Sequence, residues 1–358
     1  MARKDEGVSP VSRRPTGRGR RVLLAILLAL AVPILMEVGL RLPGLGMTTY
    51  QPRRFEPDGR VPFGQFNDGK SSQVIYQPNV SFSSVYDPAG DTRGYLGAEG
   101  RVTYRLNMFG FRGPDLPAAK GPDVYRILFL GDSITFGEGV REEDTFPVQV
   151  QKILSAKMPG KDVQVLNGGV QGYGTREEVE SYYIKGIAYA PNAIVVGFYL
   201  NDAMDFGETI RQNDAKNRKM ELTGLARVSK IAEWYQRRSR ARAQQDELLN
   251  SIRASFKSPH WEDCKGELLR LRGEAEKWKF KLVIAIFPVL WDLDHYPLED
   301  IHKSLHAQFD ELGIAWIDLL DTFRGHDAES LWVHPTDQHP NEIADRMAAE
   351  KIAEYLAK

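Results

Sequence analysis

Residues 125–139 place the tightest constraint on how this 358-residue chain can fold. They read YRILFLGDSITFGEG: an apolar, strand-like run stops at Gly131-Asp132-Ser133, and a helix is expected to begin at once. Open parallel α/β sheets bind ligands beyond the carboxyl ends of their strands. Ser133 therefore stands where such a fold would present a catalytic nucleophile.

The chain beyond this stretch alternates between strand-like and helix-like segments. A third apolar run, Ala193–Tyr199, is nearly free of polar residues, which is typical of a central strand buried on both faces. The alternation predicts an α/β fold with a parallel sheet covered by helices on both faces. Strands are expected at 126–130, 163–166, 193–199, 282–287 and 314–318. Helices are expected at 144–158, 177–188, 261–278 and 298–312, and a last helix follows Pro340 and runs to about residue 356.

The N-terminal region predicts a membrane attachment. Residues 1–21 form a basic tail, and residues 22–42 form an apolar segment interrupted by Glu37. The segment is short for a membrane span, which needs about 20 apolar residues. We interpret it as an uncleaved anchor; the alternatives are a cleaved signal peptide and a cytoplasmic protein with an apolar terminus. With the positive charge on the N-terminal side, an anchor or a signal places the main body outside the cytoplasm. This means the periplasmic side of a bacterial inner membrane, or secretion.

The composition argues against a nucleic-acid-binding protein and against a disulfide-stabilised fold. The formal net charge of -1 gives no case for a nucleic-acid partner. The single cysteine, Cys264, excludes an internal disulfide framework. Residues 43–120 are rich in Gly, Pro, Asp, Asn and Arg, and predict an irregular extension with short β hairpins. The main domain is expected at 121–358, with an insertion at about 203–260. That insertion is basic, and it is either a solvated helix face or a lid or surface for anionic lipid or glycan.

Polar residues follow three of the predicted strands. Ser133 follows the first, Gly172 lies just past the second, and Asn201 follows the third. A serine needs a base to take its proton, and His339 near the last helix is the candidate. Asp337 could orient that imidazole. The backbone N–H groups of Ser133 and Gly172 and the Asn201 amide could bind an oxyanion.

In four segments the chain resembles the SGNH (GDSL-type) hydrolase superfamily. The segments are Gly131 to Gly137, Asn167 to Gly172, Gly197 to Asp202, and His339-Pro340-Asn341. The resemblance covers about residues 125–358, and with the N-terminal segment it extends to membrane-anchored bacterial members. It implies a flavodoxin-like, three-layer α/β/α sandwich with a five-stranded parallel sheet. It also implies Ser133 as nucleophile, His339 as base, Gly172 and Asn201 as oxyanion donors, and a reaction that needs no metal or cofactor.

One position departs from the pattern of this superfamily. The usual acid lies three residues before the histidine, where this chain has Thr336, and the nearest acid is Asp337. Either Asp337 serves, or the site works as a Ser–His dyad helped by a backbone carbonyl; His334 is an alternative base. We predict an esterase acting on an ester-bearing small molecule, a lipid or an acylated glycan. The alternatives are an O-acyltransferase using the same site and a non-catalytic glycan-binding scaffold.

Overall fold

The computed structural model describes residues 17–42, 50–67, 72–204 and 223–358. These residues group into two compact units, one from 1–49 and 220–244, the other from 50–219 and 245–358. Most of the predicted basic tail, and residues 205–222 of the predicted insertion, lie outside the described residues. The domain boundaries expected from the sequence stay a prediction.

The described residues contain twelve strands and nine α-helices. The strands are β1 (Arg54–Pro57), β2 (Phe63–Asn67), β3 (Ser72–Tyr76), β4 (Ser81–Val85), β5 (Arg101–Arg105), β6 (Val124–Gly131), β7 (Asp162–Asn167), β8 (Ala193–Tyr199), β9 (Lys281–Phe287), β10 (Ala315–Asp318), β11 (Trp332–His334) and β12 (Asp337–Pro340). The helices are α1 (Gly17–Gly39), α2 (Ser133–Phe136), α3 (Phe146–Lys157), α4 (Thr175–Ser181), α5 (Lys230–Ser255), α6 (Pro259–Trp278), α7 (Glu299–Leu312), α8 (Leu320–Phe323) and α9 (Glu342–Leu356).

The smaller unit contains α1 and the beginning of α5. Glu37, the charge that interrupts the apolar segment, accepts hydrogen bonds from the backbone N–H groups of Lys230 (2.8 Å) and Ile231 (3.1 Å). Ser229 Oγ donates to the same carboxylate at 2.9 Å, and Arg41 pairs with it. Glu37 thus satisfies donors that the start of α5 would otherwise leave unpaired.

The larger unit is built on a five-stranded parallel sheet in the order β10-β9-β8-β6-β7. Residues 193–198 of β8 are all buried, which requires cover on both faces. Helices surround the sheet, with α3 packed against α9 and α4 against α6. The α/β architecture and the central place of β8 are confirmed.

The extension before this sheet has strands of its own. β1, β4 and β5 form a three-stranded antiparallel sheet, and β2 and β3 form a hairpin. Their aromatic side chains Tyr76, Phe82 and Tyr104 surround Phe136 of α2, with ring centroids 5.2, 5.8 and 5.0 Å from the Phe136 ring. All four residues are at most 1% exposed. The extension therefore packs directly on the helix that begins at Ser133.

Arg112 ties the chain between extension and sheet to the same helix. Its guanidinium donates hydrogen bonds to the carbonyl oxygens of Phe136 (2.5 Å), Gly137 (2.7 Å) and Val140 (2.6 Å). It also lies against the Tyr104 ring, 4.8 Å from the centroid. These bonds satisfy carbonyls that the end of so short a helix leaves open.

The helix expected at 177–188 is present, but its type changes along its length. It begins as α4, continues as a π-helical turn, Tyr182–Gly186, and ends as a 3-10 turn, Ile187–Tyr189. A Cβ on Gly186 would come within 2.6 Å of Leu128 Cδ2, so the turn packs tightly onto β6. The last helix follows Pro340 as expected: Pro340 ends β12, Asn341 caps α9, and α9 runs from Glu342 to Leu356. In the insertion, residues 224–227 form a separate 3-10 turn before α5 begins at Lys230.

Candidate active site

Ser133 is the first residue of α2, directly after the buried end of β6. Asp132 caps the helix, since its Oδ1 accepts the Ile134 N–H at 2.8 Å. A Cβ at Gly131 would lie 2.0 Å from Thr135 Oγ1 and 3.0 Å from the Gly197 carbonyl oxygen. Glycine at 131 therefore permits the sharp strand-to-helix turn that holds Ser133 at the sheet edge.

His339 meets Ser133 from the β11–β12 hairpin. His339 Nε2 lies 2.8 Å from Ser133 Oγ, and His339 Nδ1 hydrogen bonds with Asp337 Oδ1. The carboxylate also accepts the His339 backbone N–H at 3.2 Å. Asp337 and His339 are both in β12, and residues two apart in a strand point to the same face. The two-residue spacing thus brings acid and imidazole together.

His334, the alternative base, is buried and turned to other partners. Its Nδ1 lies 2.7 Å from Thr336 Oγ1, and its Nε2 lies 3.0 Å from the Asp87 carbonyl oxygen. Thr336, where the superfamily pattern expects the acid, contacts His334 rather than His339. Both ring nitrogens of His334 are therefore engaged away from Ser133.

The carboxylate and the imidazole shift each other's pKa. Burial alone would raise the pKa of Asp337, but the charge and hydrogen bond of His339 and the charge of Arg53 bring it well below its usual range. Burial alone would lower the pKa of His339, yet the Asp337 carboxylate outweighs it and raises the pKa above the ordinary value. The pair is thus arranged to stabilise a protonated imidazole beside an ionised carboxylate.

Gly172 and Asn201, the other two predicted site residues, follow the strands on either side of β6. In the sheet, β6 lies between β7 and β8. Gly172 stands in the turn after β7 with φ of 81°, a left-handed conformation suited to glycine. Asn201 follows β8, and its Oδ1 is buried without a hydrogen-bond partner. Both residues come from strands next to the one that carries Ser133.

Three buried carboxyl groups lie near this edge: Asp132, Glu178 and Asp202. Burial raises the pKa of Asp132 to about 6, although the Ile134 N–H, His339 and the Asn201 side chain act against the shift. Burial, and then the neighbouring carboxylates, also raises the pKa values of Glu178 and Asp202. Asp202 accepts the Tyr199 N–H at 2.6 Å, which holds the turn that presents Asn201.

Residues of the extension reach the acid of the site. Tyr86 OH donates to Asp337 Oδ2 at 3.0 Å, and Arg53 Nη1 lies 3.2 Å from the same oxygen. Arg53 also pairs with Glu138 at 2.9 Å. Sequence reasoning missed these residues. Glu138 gave a weak signal as a lone charge between Gly137 and Gly139, whereas nothing in the sequence marked Arg53 or Tyr86.

One group among the described residues has the spacing of metal ligands. The ligand atoms of His302, His306 and Asp318 lie within 4.8 Å of one another. Asp318 Oδ2 accepts hydrogen bonds from His302 Nδ1 at 2.9 Å and from His306 Nε2 at 2.5 Å. These bonds account for the grouping, which belongs to α7 and β10 and includes none of the residues around Ser133.

Past the carboxyl ends of the parallel strands, hydrogen bonds link a serine, an imidazole and a carboxylate. This arrangement is typical of one class of protein, the serine hydrolases built on α/β sheets. The chain belongs to the GDSL-like lipase/acylhydrolase family, whose model matches residues 129–346. It is an enzyme that hydrolyses ester bonds. A search of curated proteins finds no match.

Solved structures with a similar fold have low sequence identity. A two-domain esterase active on acetylated mannans is 14% identical with a TM-score of 0.40; the match covers 65% of this chain and 49%, about half, of that protein. A catalytic mutant of an acetylxylan esterase from Geobacillus stearothermophilus is 14% identical with a TM-score of 0.42, covering 64% and 93%. A lipase/acylhydrolase from Enterococcus faecalis is 14% identical with a TM-score of 0.41, covering 65% and 95%.

Proposed function

We propose that the protein is a membrane-tethered serine esterase whose acyl-enzyme forms on Ser133. The proposal is carried by one observation: Ser133 Oγ is 2.8 Å from His339 Nε2, while the other ring nitrogen of His339 is held by Asp337. A serine hydroxyl is a weak nucleophile until an adjacent base takes its proton. This contact supplies that base at hydrogen-bonding distance.

The reaction follows from these contacts. Ser133 Oγ attacks the ester carbonyl as its proton passes to His339 Nε2. The imidazolium then donates that proton to the leaving alcohol as the ester C–O bond breaks. Water, activated by the same imidazole, releases the acid and restores Ser133. Asp337 keeps Nδ1 protonated and stabilises the imidazolium in both halves.

The developing oxyanion needs preorganised donors. The backbone N–H groups of Ser133 and Gly172 and the side-chain amide of Asn201 are the candidates, supported by their positions after three adjacent strands. Removing one such donor typically costs about 3–4 kcal/mol of transition-state stabilisation. Asp202 and Asp132 hold the turns from which two of these donors come.

The proposed location rests on α1. Within the described part of the chain, residues 19–39 form a helix long and apolar enough to cross a membrane, and its large apolar side chains are exposed. A signal sequence has the same character, so secretion is the alternative. With basic residues on the N-terminal side, either role puts the catalytic unit outside the cytoplasm.

The fate of the acyl group distinguishes the esterase from the O-acyltransferase that the same site would permit. We expect the full chain, in detergent, to release acetate from an acetylated oligosaccharide at a rate that an added unacetylated oligosaccharide leaves unchanged. Acetate in solution and acetyl groups on the added acceptor would both be measured. If acetyl groups instead appear on the added acceptor while free acetate falls, the protein is an O-acyltransferase and not an esterase. Parallel assays with p-nitrophenyl esters and lipid esters would define the substrate class.

Asp337→Asn should lower kcat by between about 10²- and 10⁴-fold, because the amide cannot stabilise the imidazolium.

The pH profile should change as well. His339 must be neutral to act as a base, so activity falls as pH falls through the pKa of His339. That pKa is raised in the wild type, which puts the acid limb of the kcat/KM profile above the ordinary histidine value of about 6.5. In the variant this limb should move to lower pH. Asp327→Asn, at an exposed helix cap, is the control. Unchanged turnover in Asp337→Asn would support a Ser–His dyad.

A further inference from the structure

The outer oxygen of Asp337 is bound entirely by the extension. While Oδ1 faces His339, Oδ2 accepts Tyr86 OH at 3.0 Å and lies 3.2 Å from Arg53 Nη1. Arg53 precedes β1 and Tyr86 follows β4, so both stand before residue 129, where the match to the family begins. Two side chains outside the family-matched domain thus contact the acid of its candidate triad.

Arg53 also bridges to a second carboxylate. Its Nη1 lies 2.9 Å from Glu138 Oε1, and the Glu138 side chain is fully buried just after α2. The same Oε1 accepts Ser84 Oγ at 2.6 Å and Tyr104 OH at 2.8 Å. A buried carboxylate is costly unless it is paired and hydrogen-bonded, and these three partners of Glu138 all belong to the extension. Glu138 therefore anchors the extension at the position where Arg53 meets Asp337.

The packing around this contact restricts its movement. Tyr86 and Tyr104 are at most 2% exposed, and the Phe82 ring stacks on Phe136 of α2 at 5.8 Å. The Arg53 side chain is 36% exposed, yet a carboxylate with donors on both oxygens cannot rotate away from the imidazole without breaking charge-assisted hydrogen bonds. Arg53, Tyr86 and Glu138, here called the network, thus fix the rotamer of Asp337 from the side opposite His339.

We propose that Arg53 and Tyr86 are positioning residues of the esterase site, and that the N-terminal extension is a working part of that site. The inference rests on the proposed roles of Ser133, His339 and Asp337. Arg53 holds the Asp337 carboxylate in line with His339 Nδ1, and Tyr86 completes the coordination of the outer oxygen. A chain with the family-matched domain but without these two side chains keeps its nucleophile, its base and the hydrogen bond between Asp337 and His339, but nothing then holds the outer oxygen of Asp337 in place.

The two charges of the network act on the imidazole in opposite directions. The groups that face the His339–Asp337 pair are Arg53, Tyr86, Glu138 and Asp132, from four different segments. Arg53 lowers the pKa of His339 and Glu138 raises it. Removing Arg53 should therefore move the acid limb of the pH profile to higher pH, whereas removing the Glu138 charge should move it to lower pH. A residue needed only for folding would not produce opposite shifts.

The test compares Arg53→Met, Arg53→Lys, Tyr86→Phe and Glu138→Gln in the full chain. Arg53→Met should lower kcat for p-nitrophenyl acetate by about 10- to 100-fold, as expected for the loss of a hydrogen bond between charged groups, with KM nearly unchanged. Its acid limb should move to higher pH, and Arg53→Lys should recover part of both changes. Tyr86→Phe should cause a smaller loss of kcat, and Glu138→Gln should move the acid limb to lower pH.

Arg101→Met is the matched control, because Arg101 also lies in the extension and pairs with a carboxylate, Glu56, at 2.7 Å. It should leave kcat and the pH profile at wild-type values.

The double variant Arg53→Met/Glu138→Gln removes both charges, so it tests the Asp337 contact even if the single variant folds poorly. Its kcat should stay low. Wild-type kcat and an unmoved acid limb in folded Arg53→Met would overturn the inference while leaving the esterase intact. Loss of the proposed function itself would show instead as activity that survives in Ser133→Ala.

Discussion

Ser133→Ala is expected to lower kcat/KM for p-nitrophenyl acetate by at least about 10³-fold. The substitution removes the attacking oxygen and leaves His339 without the hydroxyl that lies 2.8 Å from its Nε2. The backbone N–H at position 133 and the other candidate oxyanion donors remain, so the residual rate should still exceed the rate of uncatalysed ester hydrolysis in water. Steady-state kinetics on the purified full chain would measure the loss.

The same variant should lose covalent labelling by a fluorophosphonate, which reacts with an activated serine. Ser239→Ala, at an exposed serine in α5, is the matched control and should label and turn over like the wild type. A wild-type chain that fails to label, with no ester turnover, would favour the non-catalytic glycan-binding scaffold. Labelling that persists in Ser133→Ala would place the nucleophile elsewhere.

His339→Ala should cost at least about 10³-fold in kcat, because His339 supplies the imidazole nitrogen that hydrogen bonds with Ser133 Oγ. The comparison with His334→Ala makes the test specific. His334 stands five residues earlier in the same hairpin, and its nitrogens contact Thr336 and the Asp87 carbonyl oxygen. Its loss should leave kcat within about tenfold of the wild type, an allowance for indirect effects.

The two histidine variants should also differ in stability. Losing the buried hydrogen bonds of His334 should lower the free energy of unfolding by about 1–3 kcal/mol. Denaturant unfolding of both variants would measure this. A catalytic loss in His334→Ala as large as in His339→Ala would contradict the assignment of His339 as the base.

The sheet was predictable because its strands are nearly continuous apolar runs that end in polar or glycine-rich turns. β8 could be placed at the centre because a strand with no polar face needs cover on both sides. The meeting of Ser133 and His339 also followed from their positions at element ends. The change to a π-helical turn at Tyr182–Gly186 could not be predicted, since the close approach of Gly186 to Leu128 is a tertiary contact with no local signal.

The acid and its support show where prediction from one sequence stops. Asp337 was ambiguous because the superfamily pattern places the acid at position 336, and only the strand geometry of β12 shows why a two-residue spacing works. Arg53 and Tyr86 could not be predicted at all. They meet Asp337 across separations of 284 and 251 residues, and neither lies in a recognisable motif.

Those separations have a consequence for synthesis. A ribosome completes the extension and the nucleophile turn long before it makes β12, whose His339 lies 206 residues after Ser133. Until the β11–β12 hairpin arrives, Arg53 has no Asp337 to bind and Ser133 has no imidazole beside it. Contacts this distant in sequence carry the largest loop-closure cost and tend to form late. A nascent or prematurely ended chain thus carries a serine that cannot yet react, and hydrolytic activity first arises when the C-terminal hairpin closes onto the extension.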